Sequence, residues 1–283
     1  MTTTTAAAPT ATTATVPPAT TTVAGRILAL GRAEATLLLR NRSALFVAVG
    51  LPLFMVGALR GTLEAAAKRA PGLDLDAALV SSVIGIVLVF VVYYNLTAAY
   101  VARRGELVLK RLRTGEAGDL EILGGTALPS TALALLMCAL VTGAGGALLE
   151  LRTPVNPVLL PVALLLAIAL LIPLAALSSA FTKTVETAGI TTMPVMLIAQ
   201  FGSGLLVPLE VMPDRLADVC RLLPTTPAFQ LLKLGWTGTD GSDPATGFAG
   251  TWAQAAPHLL LGVLWAALAI WAARRWFRWE PRR

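Results

Sequence analysis

Hydrophobic and polar positions are segregated into long blocks along this chain. Charged residues delimit six stretches free of Asp, Glu, Lys and Arg: 43–59, 77–102, 122–149, 153–182, 187–209 and 244–273. A helix needs about 20 apolar residues to cross a bilayer, within a range of about 17–25. Each block reaches that range, the first only at its lower limit and with Pro52 inside it. The pattern predicts an all-α polytopic membrane protein with six transmembrane helices. Strands of a membrane barrel run about ten residues with strict alternation. These blocks are continuous, longer and rich in Leu and Ala, so a barrel is excluded.

Composition points the same way. Of 283 residues, 56% are apolar and 13% charged, and the mean hydropathy is +0.74. A soluble domain carries about 25% charged residues. So little charge would not cover a soluble fold of this size, whereas lipid-facing helices need none. A net charge of +6 would suggest nucleic acid in a soluble chain. Here the charges lie between apolar blocks, so they mark topology and no nucleic-acid partner is expected. With the N-terminus inside, 15 of the 22 Lys and Arg residues fall on the inner side. The positive-inside rule then puts both termini in the cytoplasm and the chain in the cell membrane.

The segments between the blocks differ in character. Residues 1–24, rich in Thr, Ala and Pro, read as a disordered cytoplasmic tail with nothing to bury, and no signal peptide is visible in them. Residues 25–42 read as an amphipathic helix lying along the membrane. Ile27, Leu28, Ala35, Leu38 and Leu39 share one arc, opposite Arg26, Arg32, Glu34 and Arg40. The membrane domain follows over 43–280.

After the second block comes the densest charge run: Arg103, Arg104, Glu106, Lys110, Arg111 and Arg113, interleaved with Leu107, Leu109 and Leu112. It reads either as a short amphipathic helix offering ion pairs to a cytoplasmic partner or as a solvated loop. After the fifth block, Gly204, Pro208, Glu210 and Pro213 lead into an expected short helix over 214–223. Pro224 and Pro227 would stop or redirect a helix there. This outer segment is an ordinary loop or a re-entrant one.

Candidate chemistry is sparse. The single histidine, His258, lies near the outer end of the sixth block without an evident metal-ligand set. No GxxxxGK[ST] phosphate-binding loop and no GxSxG elbow occur, so catalytic, cofactor and metal residues are not expected. Cys138 and Cys220 fall in an apolar block and a polar loop and are not expected to pair. No charge sits where a helix midplane would be, which argues against ion-coupled transport. Uncharged polar groups do occur: Tyr93, Tyr94, Asn95 and Thr97 in the second block, and Thr191, Thr192, Gln200 and Ser203 in the fifth. They line a substrate path or hydrogen-bond between helices.

Three patches resemble a known family. They are Arg40-Asn41-Arg42-Ser43-Ala44-Leu45-Phe46, the charged run from Arg103 to Arg113, and Ser203-Gly204-Leu205-Leu206-Val207-Pro208-Leu209-Glu210-Val211-Met212-Pro213 with Leu223-Pro224-Thr225-Thr226-Pro227. With the order of segments, they resemble the type-2 ABC exporter permeases of bacteria, including daunorubicin-resistance-like membrane subunits. Thr114 is followed by Gly115 where that family often has Pro. The resemblance implies a half-transporter that pairs with a second copy and with two separate ATPase subunits. It implies that Arg104, Glu106, Lys110, Arg111, Arg113 and the 25–42 helix receive ATPase motion. The second and fifth spans would face a small-molecule, lipid or polysaccharide substrate. Two other readings stand beside it. A lipid-modifying membrane enzyme would need clustered carboxylates, for which Glu116, Asp119 and Glu121 are the nearest candidates. An assembly scaffold would move no substrate.

Overall fold

Thr22 and Asp74 each accept a hydrogen bond from the backbone N–H three residues on, at 3.2 and 3.0 Å. Each caps the helix that it precedes. The structure, a computed structural model, describes residues 22–69, 74–114, 118–148, 152–241, 244 and 246–280. Among these residues it is all helical, without a strand. Helix α1 is Val23–Arg40, displaced toward the N-terminus from the expected 25–42. Helical turns over Arg42–Leu45 and Phe46–Gly50 lead into α2, Leu51–Ala67. Helix α3, Leu75–Gly105, widens to π-type hydrogen bonding over Leu88–Tyr94. There follow α4 (Val108–Arg113), α5 (Asp119–Leu148) and α6 (Leu159–Phe181). Then come α7 (Ala188–Gly202), α8 (Asp214–Arg221), α9 (Thr226–Thr237) and α10 (Phe248–Trp276).

Among the described residues, four helices are long and apolar enough to cross a membrane: α3, α5, α6 and α10. The six blocks thus yield four helices of spanning length. The fifth block yields α7, with 10 α-helical and 5 π-helical residues. At 1.5 Å per residue it is about 22 Å long, short of a hydrocarbon core of about 30 Å. Counting charges carried this block on to 209, but Gly204, with φ of +81°, turns the chain first. The first block lies in the turns before α2 and in α2 itself. The expected tail, up to residue 21, lies outside the described residues.

Helix α3 is the axis of the bundle. Of its most apolar stretch 89% is buried, against 28% for α5, 39% for α6 and 33% for α10. Helices α2, α5, α6, α7 and α9 pack around it. The α10 pattern shows what drives this packing. Its inward positions, Thr251, Ala255, His258, Gly262, Ala266, Ala269 and Ala273, recur every three or four residues and are small except for the histidine. Its outward positions are large and apolar, with Leu260 75%, Leu264 64% and Trp271 57% exposed. A helix of a soluble protein does the reverse, burying large apolar groups and exposing charge. Lipid solvates leucine as well as a protein core does, so association rests on close packing, which small residues permit. On α6 the facing side chains are larger: Leu170 clusters with Ala266 and Ala269, and Leu174 packs against that cluster. A Cβ placed on Gly262 would lie 2.5 Å from Leu166 Cδ2.

One buried charge fixes the register of α3 against α6. Arg104, 1% exposed, donates to the carbonyls of Ser179 at 2.7 Å and Thr182 at 2.5 Å. The last carbonyls of a helix have no partner within it and carry the negative end of its dipole. A guanidinium answers both needs. Thr97 meets the Ala175 carbonyl at 3.5 Å. The numbering therefore rises together along the two helices, and α3 and α6 run parallel. Helix α5 must then bring the chain back between them.

Two outcomes are expected from this packing. Replacing Arg104 with Met abandons two buried carbonyls at about 1–3 kcal/mol each. Its melting temperature in detergent falls well below that of the parent, and Arg104→Lys recovers part of the loss. Gly262→Leu overpacks the α6–α10 crossing by about 1–3 kcal/mol. Leu264→Ala, on the outward face, changes stability by less than about 0.5 kcal/mol. Thermal unfolding of the purified variants reads both.

Candidate functional site

At the C-terminal end of α3 the chain reverses through Glu106 and Leu107 into α4. Leu107 has φ of 59°, a left-handed conformation that costs a residue with a Cβ about 1–2 kcal/mol. Contacts on each side hold the turn. Arg103 bridges Glu34 of α1 at 2.8 Å and Glu106 at 2.5 Å. Burial pushes the Glu34 carboxyl above its ordinary value, with Arg103 pulling the other way. Leu109, fully buried, pins α4 to the bundle.

On the far side of α4, Lys110 pairs with Glu280 at 2.6 Å and Arg113 with Asp119 at 3.1 Å. The Arg113 guanidinium also lies 4.8 Å from the centre of the Trp279 ring, close enough for a cation–π contact. Phe277 stands edge-on to Tyr100 and to Trp279, at centroid distances of 6.0 and 5.0 Å. The C-terminal residues 277–280 thus lie along the hairpin. Sequence reasoning missed this brace. Its only trace is the aromatic residues Trp276, Phe277 and Trp279 set among the terminal arginines.

The five expected coupling residues therefore fall into three groups. Arg104 stands apart from the others. It is buried as the cap of α6 and offers no surface to a partner. Glu106, Lys110 and Arg113 are exposed but paired within the chain. Arg111 is exposed, and among the described residues its side chain forms no ion pair.

The expected path residues also separate. Tyr93 is fully buried, and its hydroxyl lies 2.9 Å from Ser178 Oγ on α6. Thr97, also fully buried, donates to the Tyr93 carbonyl at 2.7 Å. These two bond within the bundle and line no open path in this conformation. Tyr94 is half-buried where α3 meets Gly189 of α7. Thr191 and Thr192 bond back to their own helix, at Thr187 (3.0 Å) and Ala188 (2.7 Å). Such i−4 bonding satisfies a hydroxyl locally, which is why residue type alone does not separate lining from packing. Gln200 is buried. Asn95 and Ser203 border cavities.

The external motif is a packed knot. Beyond Gly204, Ser203 Oγ lies 2.5 Å from Thr225 Oγ1, and Gln230 Nε2 donates to the Ser203 carbonyl at 3.5 Å. Thr226 Oγ1 donates to the Cys220 carbonyl at 2.7 Å. Pro227 sits in the first turn of α9, where a missing N–H costs nothing. Of the two prolines expected to stop or redirect a helix, Pro224 follows the end of α8 and Pro227 starts α9. Helix α9 is buried along most of its length against α3, α6 and α10. Pro208 is buried, while Pro213 is exposed at the head of α8. Glu210 forms an ion pair with Lys233. His258 Nε2 lies 2.9 Å from Asp240 Oδ2, a carboxylate partner that no spacing in the sequence announced. Ser81, Ser203, Glu210, Gln230 and Lys233 border a cavity of about 30 Å³, room for a water or two.

Comparison with known proteins supplies the family. No curated protein matches the chain. The family described as ABC-2 family transporter protein matches residues 64–275, from the end of α2 to the last turn of α10. That is well over half of the sequence, and it takes in the buried axis, the hairpin and the external knot. This multi-pass membrane protein belongs to the ABC-2 transporter family, whose members are membrane transport components.

Proposed function

We propose that the chain is the permease subunit of an ATP-driven exporter in the plasma membrane, with six crossings and both termini in the cytoplasm. It works as a pair of copies with two separate ATPase subunits, and it moves a small-molecule, lipid or polysaccharide substrate. ATP hydrolysis falls to the partner, because this sequence carries no phosphate-binding loop of the GxxxxGK[ST] kind. The motif from Ser203 to Pro213 supports a daunorubicin-resistance-like subgroup.

The observation that carries the reading is the hairpin at the end of the bundle's axis. It is tied to three neighbours at once. Arg103 links it to α1, Arg104 links the end of α3 to α6, and Lys110 and Arg113 link α4 to the C-terminal residues. A push on α4 would move α1, α3 and α6 as a unit instead of bending a loop. Arg111 is the cation left facing outward for an ATPase carboxylate. The excess of Lys and Arg on this side supports its cytoplasmic placement. On α7, Ile190 (74% exposed), Met193 (54%), Leu197 (49%) and Phe201 (49%) form an apolar stripe suited to a second copy.

Reconstitution with the cognate ATPase tests the reading. Juxtaposing like charges costs several kcal/mol, so Arg111→Glu is expected to weaken ATPase docking at least roughly tenfold. Unchanged docking and unchanged efflux would count against the assignment. Lys110→Glu alone should loosen the C-terminal brace and lower substrate efflux per ATP. Combining it with Glu280→Lys should restore coupling, because the pair is re-formed with its charges exchanged.

A further inference from the structure

Where α1 crosses the C-terminal half of α3 and the first turns of α5, the packing leaves a cavity of about 110 Å³. A water needs about 10–15 Å³ of such space, so there is room for a small polar group and several waters. Leu37 and Val185, each 44% exposed, stand at its rim. Its polar wall is unusual in two respects.

First, Asn95 borders it. This residue is 5% exposed, and its Nδ2 is buried without a hydrogen-bond partner. Leaving a buried amide unpaired costs about 1–3 kcal/mol, and such groups in native proteins ordinarily meet a ligand or water. A buried amide donor calls for an oxygen acceptor. Second, the wall holds one carboxylate and one guanidinium side by side, Glu34 and Arg103, 2.8 Å apart. The cavity is therefore a zwitterion, and its complement is a zwitterion of opposite order. The burial that raises the Glu34 carboxyl leaves it short of compensation, since Arg103 is shared with Glu106. A protonated amine would supply what is missing.

We propose that this cavity binds the headgroup of a phospholipid bearing a primary amine, with the ammonium at Glu34 and the phosphate at Arg103 and the Asn95 amide. The primary ammonium donates hydrogen bonds to a carboxylate. A quaternary choline has no N–H to donate, and a glycerol headgroup has no cation. Helices α3 and α5 both have spanning length, and the site lies where charged residues take over from apolar ones on α3, the depth of lipid headgroups. Arg103 is also part of the proposed coupling hairpin, so a bound lipid would brace that hairpin from the membrane side. The inference needs only that α3 and α5 cross the bilayer, and it does not depend on transport.

The test uses the full-length protein in lipid nanodiscs of phosphatidylethanolamine, phosphatidylcholine or phosphatidylglycerol. Native mass spectrometry counts retained lipid, and thermal unfolding reports stabilisation. Phosphatidylethanolamine should be retained roughly tenfold over the other two, about 1.4 kcal/mol, and should raise the melting temperature. Glu34→Gln should erase most of that preference, whereas Asn95→Leu, which removes a contact to the phosphate common to all three lipids, should lower the retention of each. Equal retention of the three lipids by the parent protein overturns the proposal without recourse to any variant. So does undiminished selectivity in Glu34→Gln, or undiminished retention of all three lipids in Asn95→Leu. Stabilisation by soluble phosphoethanolamine, with none from the lipid, overturns the lipid assignment.

Discussion

A carbonyl at a helix end within a bilayer has no water to turn to, and each helix presents four of them. This constraint accounts for several of the buried polar residues. Arg104 serves the end of α6. Thr226 serves Cys220 at the end of α8, and Gln230 serves Ser203 after α7. These residues are placed where helices stop and backbone groups need partners. A substrate path need not be invoked for them.

The second determinant is the inverted pattern of size. With lipid outside, apolar burial gives no preference for one large side chain facing in over another facing out. What remains is how closely two helix backbones approach. The small inward stripe of α10 receives Leu166 and Leu170 of α6 and brings these helices together, and α9 packs against both and against α3. This leaves α3 enclosed on nearly all sides, and α1, α4 and α6 meet at its C-terminal end. The buried axis and the position of the hairpin are thus consequences of one packing rule.

Much of this was legible in the sequence. The charge-free blocks contain most of α3, α5, α6 and α10, because a charge within a lipid-crossing helix is expensive and therefore marks its ends. The hairpin was legible as a charge run between two such blocks. What the sequence did not reveal depends on which helix end lies beside which. Arg104 and Arg103 are adjacent in the chain, yet one is buried under α6 and the other faces α1. Tyr93 and Asn95 lie two positions apart, yet one is bonded to α6 and the other fronts a cavity. The shortness of α7 was hidden because Gly204 and Pro208, which end it, are uncharged. The burial of α9 was hidden because its prolines and threonines read as a surface turn.

The proposed permease requires that α3, α5 and α6 cross the membrane in alternating directions, with α4 on the inner side. Single cysteines in an otherwise cysteine-free chain test it most directly, because Cys138 and Cys220 are both buried and free. Thr114→Cys, Arg152→Cys, Thr184→Cys and Arg215→Cys sit in successive exposed connections. With a membrane-impermeant thiol reagent on intact cells, positions 152 and 215 should label. Positions 114 and 184 should label only after the membrane is opened. Labelling of 114 and 152 from the same side would place both ends of α5 on one face of the bilayer and contradict the architecture.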